Sequence, residues 1–300
     1  MSNVELIKKL REEMGGIGMA DCKKALDETG GKYEEAIAWL RKKGLVNAAK
    51  KASRVASEGL VAINISKLQA TILEINSETD FVAKNDSFVA LVKEISAKSL
   101  EFKTFDALKS AFEEKISLTI STIGEKIELR RMEALSVSKG AISFYVHNNV
   151  EGDKMLGKIG VIIALESDAS EEKLVDLGKK IGMHIVSLTP KYVERSQVNP
   201  EEMEKERKIL IAQASESGKP QAVVEKMVEG RMSKFYSEFV LLEQPFVMNP
   251  DITVKAFVEE VAKEVGASIK ITGFKMMKVG EGIEKKADDF AEEVAKMTVR

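Results

Sequence analysis

An acid and a large aromatic stand side by side in Thr79-Asp80-Phe81-Val82. The stretch before them, Ala70 to Ile75, reads as a strand, and the stretch after them, Lys84 to Lys98, reads as an amphipathic helix. Asp80 suits the start of a helix, where unpaired backbone N–H groups and the positive end of the dipole favour a carboxylate. Phe81 has two readings. Its spacing to Phe88, Val92 and Ile95 is close to one helical stripe, which assigns it to a core. Its place in the first turn lets it project past the packed face as a probe. Period alone favours the core, because aromatic stripes are mostly core, and leaves the probe open.

Groups that do covalent or metal chemistry are scarce. There are two histidines, His147 and His184, and neither has metal-binding spacing to Cys or to the other. Cys22 is alone on a helical pattern and reads as a small buried apolar side chain. Gly31-Lys32 and Gly218-Lys219 run on to Tyr33 and Pro220, so neither is a phosphate loop. Gly16-Ile17-Gly18 lies between helices and lacks the strand and third glycine of a dinucleotide fingerprint. No cofactor, no metal and no catalytic residue are expected. Arg41-Lys42-Lys43 and Lys50 to Arg54 read as solvated surface, because no aromatics interleave them. His184, between Ile181 and Ile185, reads by pattern as a structural histidine.

Three hundred residues suffice for a large core and two or three modules. The 46 basic and 48 acidic residues leave a formal charge of −2, interspersed, so no basic face announces nucleic acid. One cysteine excludes an internal disulfide framework and fits a reducing compartment. The first residues carry Lys8, Lys9, Arg11, Glu5, Glu12 and Glu13, unlike a secretory leader. No apolar run reaches the length of a membrane span. A cytoplasmic protein is expected.

The elements that hold these residues follow from period and punctuation. Helices are expected at Val4–Met14, Met19–Glu28 and Tyr33–Lys43, the last stopped by Gly44. Lys50 to Arg54 reads as a linker. Gly59–Ser66 and Ala70–Asn76 suggest a hairpin, followed by helices at 80–99 and 105–122 and a strand over Glu125–Glu133. The order then recurs: strands at Ala141–Val146 and Ile159–Leu165, a helix at Glu171–Ser187 and a closing strand at Ala267–Phe274. Asn199-Pro200-Glu201-Glu202 opens a helix running to about Ser217. Gly218-Lys219-Pro220 turns the chain into a second helix, Gln221–Ser237. Met203, Leu210, Ile211, Val224, Met227, Val228 and Phe235 are its expected seam. That seam is small, so the hairpin should project and find a partner surface. A last amphipathic helix is expected at Ile283–Met297.

Thr79-Asp80-Phe81-Val82 resembles the signature of the bacterial elongation factor Ts family. Leu10 to Leu26, with Arg11, Met19, Ala20, Asp21 and Cys22, resembles that family's N-terminal signature. Met183-His184-Ile185, Ser217 to Pro220, Lys226 to Met232 and Gly280 to Lys285 follow in family order, so the resemblance spans almost the whole chain. The stretch from about Val137 to Lys158 departs from it, being longer than in short members. Ala20 also departs, since the family often has methionine there, and alanine offers less contact area.

The resemblance implies an α+β fold with an N-terminal three-helix module of the ubiquitin-associated type at 1–54. It implies two related core subdomains with antiparallel sheets, at 55–139 and at 140–198 with 238–279. An inserted helical hairpin at 199–237 of the dimerisation type and a C-terminal helical module at 280–300 complete it. The implied function is guanine-nucleotide exchange on elongation factor Tu in translation, with no catalytic chemistry of its own. Thr79, Asp80, Phe81 and Val82 would enter the G domain beside its magnesium. Arg11, Met19 and Ala20 would hold another G-domain helix, His184 would meet the partner's third domain, and the C-terminal helix would add grip. A homodimer through 199–237 is a further expectation; membrane and direct nucleic-acid partners are not expected. The alternatives are an RNA-binding accessory factor of translation and an enzyme, for which the residues offer no convergent polar cluster.

Overall fold

The computed structural model describes residues 3–215 and 221–284. In chain order these residues form α1 (Asn3–Glu13), α2 (Met19–Glu28), α3 (Tyr33–Lys51), β1 (Glu58–Ser66), β2 (Gln69–Ser77), α4 (Asp80–Ala83), α5 (Asp86–Lys98) and α6 (Phe105–Ile123). Then come β3 (Ile127–Ser136), β4 (Ala141–Asn149), β5 (Leu156–Ser167), α7 (Glu171–Leu188), α8 (Pro200–Ser215) and α9 (Gln221–Phe239). The short β6 (Pro245–Phe246), β7 (Asn249–Thr253), α10 (Val254–Val265) and β8 (Ile269–Lys278) complete the order. The chain is α+β: N-terminal helices precede a core of helices and antiparallel sheet. The main strand order is β3-β2-β1-β5-β4, with β8 also pairing β5. Strands β4 and β5 are antiparallel from Ala141 opposite Leu165 to Asn149 opposite Gly157.

Two compact units share the chain. One comprises Met1–Ala62, Leu73–Met132 and Met277–Arg300, the other Ile63–Ile72 and Glu133–Met276. In the first unit α1, α2 and α3 close over Leu10, Met14, Ile17, Cys22, Ala25, Leu26, Ala36, Ile37 and Leu40. These apolar positions recur at helical spacing, which is why three short helices bury one common face. In the second unit α7 packs on β4 and β5 around Val161, Ile163, Leu165, Leu174, Leu177, Ile181 and Ile185.

Several sequence expectations change. Helix α3 does not stop at Gly44; it continues to Lys51. Gly44 is an interior residue facing α6, and a Cβ there would stand 3.3 Å from the Leu118 side chain. The single helix expected over 80–99 is two, α4 and α5, broken at Lys84-Asn85. The break has a local cause: Asn85 Oδ1 accepts from the backbone N of Ser87 at 2.9 Å and of Phe88 at 3.4 Å, a side-chain cap that starts a new helix. The stripe from Phe81 to Phe88 is therefore not continuous.

Elements β6, β7 and α10 were not expected at all. In the hairpin Leu210, Val224 and Val228 are buried with Met232 beside them, whereas Ile211 is exposed. The expected turn at 218–220 lies outside the described residues, as does the expected last helix beyond Glu284. Among the described residues no helix is long and apolar enough to cross a membrane.

Candidate functional site

Strand β2 delivers the chain into Ser77, Glu78 and Thr79 with its side chains buried up to Ser77. Thr79 is the N-cap of α4, its hydroxyl accepting from the Val82 backbone N at 3.4 Å. The same hydroxyl donates to Glu125 Oε1 at 2.8 Å, and the Thr79 backbone N donates to Glu125 Oε2 at 3.0 Å. Ser77 Oγ donates to the Thr79 carbonyl at 3.0 Å. Glu78 Oε1 accepts from the Lys126 backbone N at 2.5 Å, and Glu78 pairs with Arg54 at 3.2 Å. Two neighbouring residues, Glu125 and Lys126, thus pin two neighbouring loop residues. Charge-assisted bonds of this kind are among the stronger ones a loop can make.

On that base Val82 and Ala83 point inward, 7% and 1% exposed. Asp80 occupies the first turn of α4 and pairs with Lys84 at 3.0 Å. Phe81 is 80% exposed, the most exposed large apolar side chain among the described residues. The core reading of Phe81 therefore fails. Because α4 ends after one turn, its outward position has nothing to pack against. Leaving such a ring in water forgoes roughly 2 kcal/mol of burial. The aromatic is thus held out in water on a hydrogen-bonded base, with a carboxylate beside it.

The other expected site residues divide. Arg11 in the last turn of α1 and Met19 and Ala20 in the first turn of α2 are all exposed, Met19 at 49%. They flank one interhelical turn. His184 is different: it lies in α7 of the second unit and is fully buried. The Val247 backbone N donates to its Nδ1 at 3.1 Å, so the proton sits on Nε2, which donates to Gln244 Oε1 at 2.9 Å. Gln244 in turn donates to the Glu238 carbonyl at 2.6 Å. Burial pushes the His184 pKa below its usual value, with the Gln244 bond opposing, which suits a neutral ring. Phe246 lies 5.8 Å from the imidazole and stacks on Phe257 at 4.2 Å.

What His184 holds is the β6–β7 turn, and at its tip Val247 and Met248 are 40% and 51% exposed. The sequence expectation names the histidine but not these two exposed neighbours. The available signal was the apolar run Phe246-Val247-Met248 fenced by Pro245 and Pro250. Among the described residues no group of three or more His, Cys, Asp or Glu is arranged to hold a metal ion.

A family model described as elongation factor TS matches residues 78–281. The elongation factor Ts of Rickettsia felis is 48% identical over 300 residues, covering 97% of this chain and 96% of its own length. That of Parvibaculum lavamentivorans is 46% identical over 299 residues with the same coverage, 97% and 96%. That of Rhodospirillum rubrum is 48% identical over 300 residues, again 97% and 96%.

Proposed function

The chain belongs to the elongation factor Ts family of translation elongation factors, and from that premise we propose that it binds elongation factor Tu–GDP and promotes GDP release. The observation that carries this reading is Phe81, 80% exposed on a loop pinned by Glu125 and Lys126. In this reading Phe81 wedges into the G domain and Asp80 enters beside the bound magnesium. A displaced G-domain helix weakens the magnesium coordination, and loss of the cation exposes phosphate to repulsion. Thr79 and Val82 hold the probe rather than touch the nucleotide site.

Exchange needs no catalytic group. The factor binds the nucleotide-free partner more tightly than the GDP-loaded one. By linkage GDP weakens the factor by the same ratio that the factor weakens GDP. A coupling of several kcal/mol shifts the populations strongly. Further grip comes from the surface at Arg11, Met19 and Ala20, and from residues 285–300. On the second unit the contact with the third domain of the partner is Val247–Met248, with His184 behind it as the brace. The three-helix module, the two core subdomains and the hairpin at 199–237 are the working parts. The hairpin, with Ile209, Ile211 and Val223 exposed, is the surface for a second copy.

Release of labelled GDP from purified elongation factor Tu, with and without this chain, tests the reading. Release should accelerate, and part of the acceleration should vanish once magnesium is already chelated. Unchanged release in magnesium buffer sinks the proposal. Equal fold-acceleration with and without magnesium would move the action to the base or ribose side of the nucleotide.

A further inference from the structure

Helix α3 belongs to two packings at once. Its first half closes the three-helix module with Ala36, Ile37 and Leu40, and its second half lies along α6 in the same compact unit. Three ties at regular spacing hold that second half. Arg41 pairs with Glu114 at 2.8 Å, and Asn47 Nδ2 donates to Ser121 Oγ at 3.2 Å. Between them Gly44 lets the helices approach: a Cβ there would stand 3.3 Å from Leu118 Cδ2 and 3.6 Å from the Ser117 carbonyl. Leu118 also packs against the core of the module. The partners rise together, Arg41 with Glu114, Gly44 with Leu118 and Asn47 with Ser121, so the two helices run parallel in one register. Glu114 to Ser121 is about two turns, roughly 10 Å of helix. A seam of that length resists pivoting about any single contact.

The far end of α6 reaches the Phe81 loop. The helix stops at Gly124, whose φ of +88° is left-handed, and the next residue is Glu125, whose carboxylate bonds Thr79. A second tie runs from α3. Beyond that helix Arg54 Nη1 meets Glu78 at 3.2 Å, and the Arg54 carbonyl accepts from Lys126 Nζ at 3.1 Å. The stretch Lys50 to Arg54, which reads as a linker in the sequence, is thus fastened to the base of the probe. Helix α6 carries the module along its side and the anchor of Thr79 at its exit. The module displays Arg11, Met19 and Ala20, and the loop displays Phe81. Two contacts joined by a loose linker are captured one after the other, the second at a concentration set by the linker. Two contacts held by one helix are ordered beforehand, which lowers the ordering cost at binding.

We propose that α6 is a rigid beam that sets the spacing between the module's contact and Phe81, with Gly44 and Leu118 as its positioning residues, so that the partner is met at two fixed points. This inference rests on the reading that both surfaces touch elongation factor Tu.

Trp39, the single tryptophan of the chain, packs against the module core and reports how the module tumbles. Time-resolved fluorescence anisotropy of the free, unsubstituted chain should show the module rotating with the rest. Gly44→Leu favours the helix but places a side chain too large for the seam, and should add a faster decay while helix content is kept. A fast module decay in the unsubstituted chain overturns the inference. Affinity for nucleotide-free elongation factor Tu is then measured for Gly44→Leu, for Met19→Asp and for the two together. Each alone should weaken binding about fivefold or more, the low end of a site-to-site coupling. The pair should bind less than about twofold weaker than the worse single variant, because an unseated module has no placed contact left to lose. Multiplied losses overturn the inference, since the module would then act without its seat, and so does full affinity in Gly44→Leu. Full affinity in Met19→Asp removes the module's contact, and the inference with it. Absence of binding by the unsubstituted chain is a different failure, that of the exchange reading itself, and the anisotropy still decides whether the beam is rigid. Should Gly44→Leu not fold, Arg41→Ala combined with Asn47→Ala cuts the two polar ties of the seam and completes the same comparison.

Discussion

Phe81 and His184 lie in matching signature stretches, yet the fold treats them in opposite ways. Phe81 is 80% exposed on a loop whose neighbours are buried and bonded. His184 is fully buried, and it accepts from the backbone N of Val247, whose side chain is exposed together with that of the next residue, Met248. In the first region the signature residue is the surface and Thr79, Glu125 and Val82 are its frame. In the second the signature residue is the frame. In the proposed reading such a stretch marks a contact assembly, and burial decides which member is left to touch a partner.

That contrast can be broken most easily at His184. His184→Ala removes two hydrogen bonds, one buried and one part-buried, leaves a cavity, and should cost about 2–4 kcal/mol in urea unfolding. A loss under about 1 kcal/mol would mean that the β6–β7 turn holds itself. The same residue gives a pH signature. Its folded pKa lies below 6.5, so as the pH falls the unfolded chain takes up the proton first. The stability is complete above pH 6.5 and is lost as the pH drops from there toward the folded value. Burial pushes the Glu74 carboxyl up, but bonds from Gly280, Asn76 and Arg131 hold it below its usual 4.5, so its contribution is lost only below pH 4.5 and the two windows separate. His184→Gln should flatten the slope just below pH 6.5, and an unchanged slope there would assign it to another group.

The frame of the Phe81 loop is the next target. Thr79→Val removes the cap of α4 and the hydroxyl bond to Glu125. It should cost about 1–2 kcal/mol in stability and slow GDP release from the partner although Phe81 is intact. Unaltered release would show that the probe does not depend on its base. The mildest change to the fold is Met248→Ser. With its side chain half in water, the stability should stay within about 0.5 kcal/mol. Affinity for elongation factor Tu, by titration calorimetry, should still fall by about 1 kcal/mol or more. Equal affinity would leave His184 bracing a surface that touches nothing.

Much of the fold is legible in the sequence because it is written in period and punctuation: the apolar spacing of α1, α2 and α7, the two apolar runs that make β1 and β2 a hairpin, and the Asn199-Pro200 start of α8. What is hidden depends on tertiary context. Gly44 reads as a stop, and only the approach of Leu118 shows why a glycine sits inside a helix. The run Phe81, Phe88, Val92, Ile95 reads as one stripe, although Asn85-Asp86 between them is itself a helix-start signal that breaks it. Elements β6 and β7 are two and five residues long, too short for alternation to register. The exposed Met248 is not legible for that reason, and while the pattern around His184 reads as structural, nothing local tells that its ring faces Gln244, sixty positions on.

The central claim is that Phe81 is a surface probe on a fixed base, and one measurement meets it directly. Phe81→Ala is compared with the unsubstituted chain in stimulated GDP release from elongation factor Tu and in thermal melting of the free protein. Melting should be unchanged, since the ring is 80% exposed. Release should slow at least about tenfold, roughly 1.4 kcal/mol in the transition state. A collapsed melting transition, or release at the unsubstituted rate with the fold intact, would contradict the account.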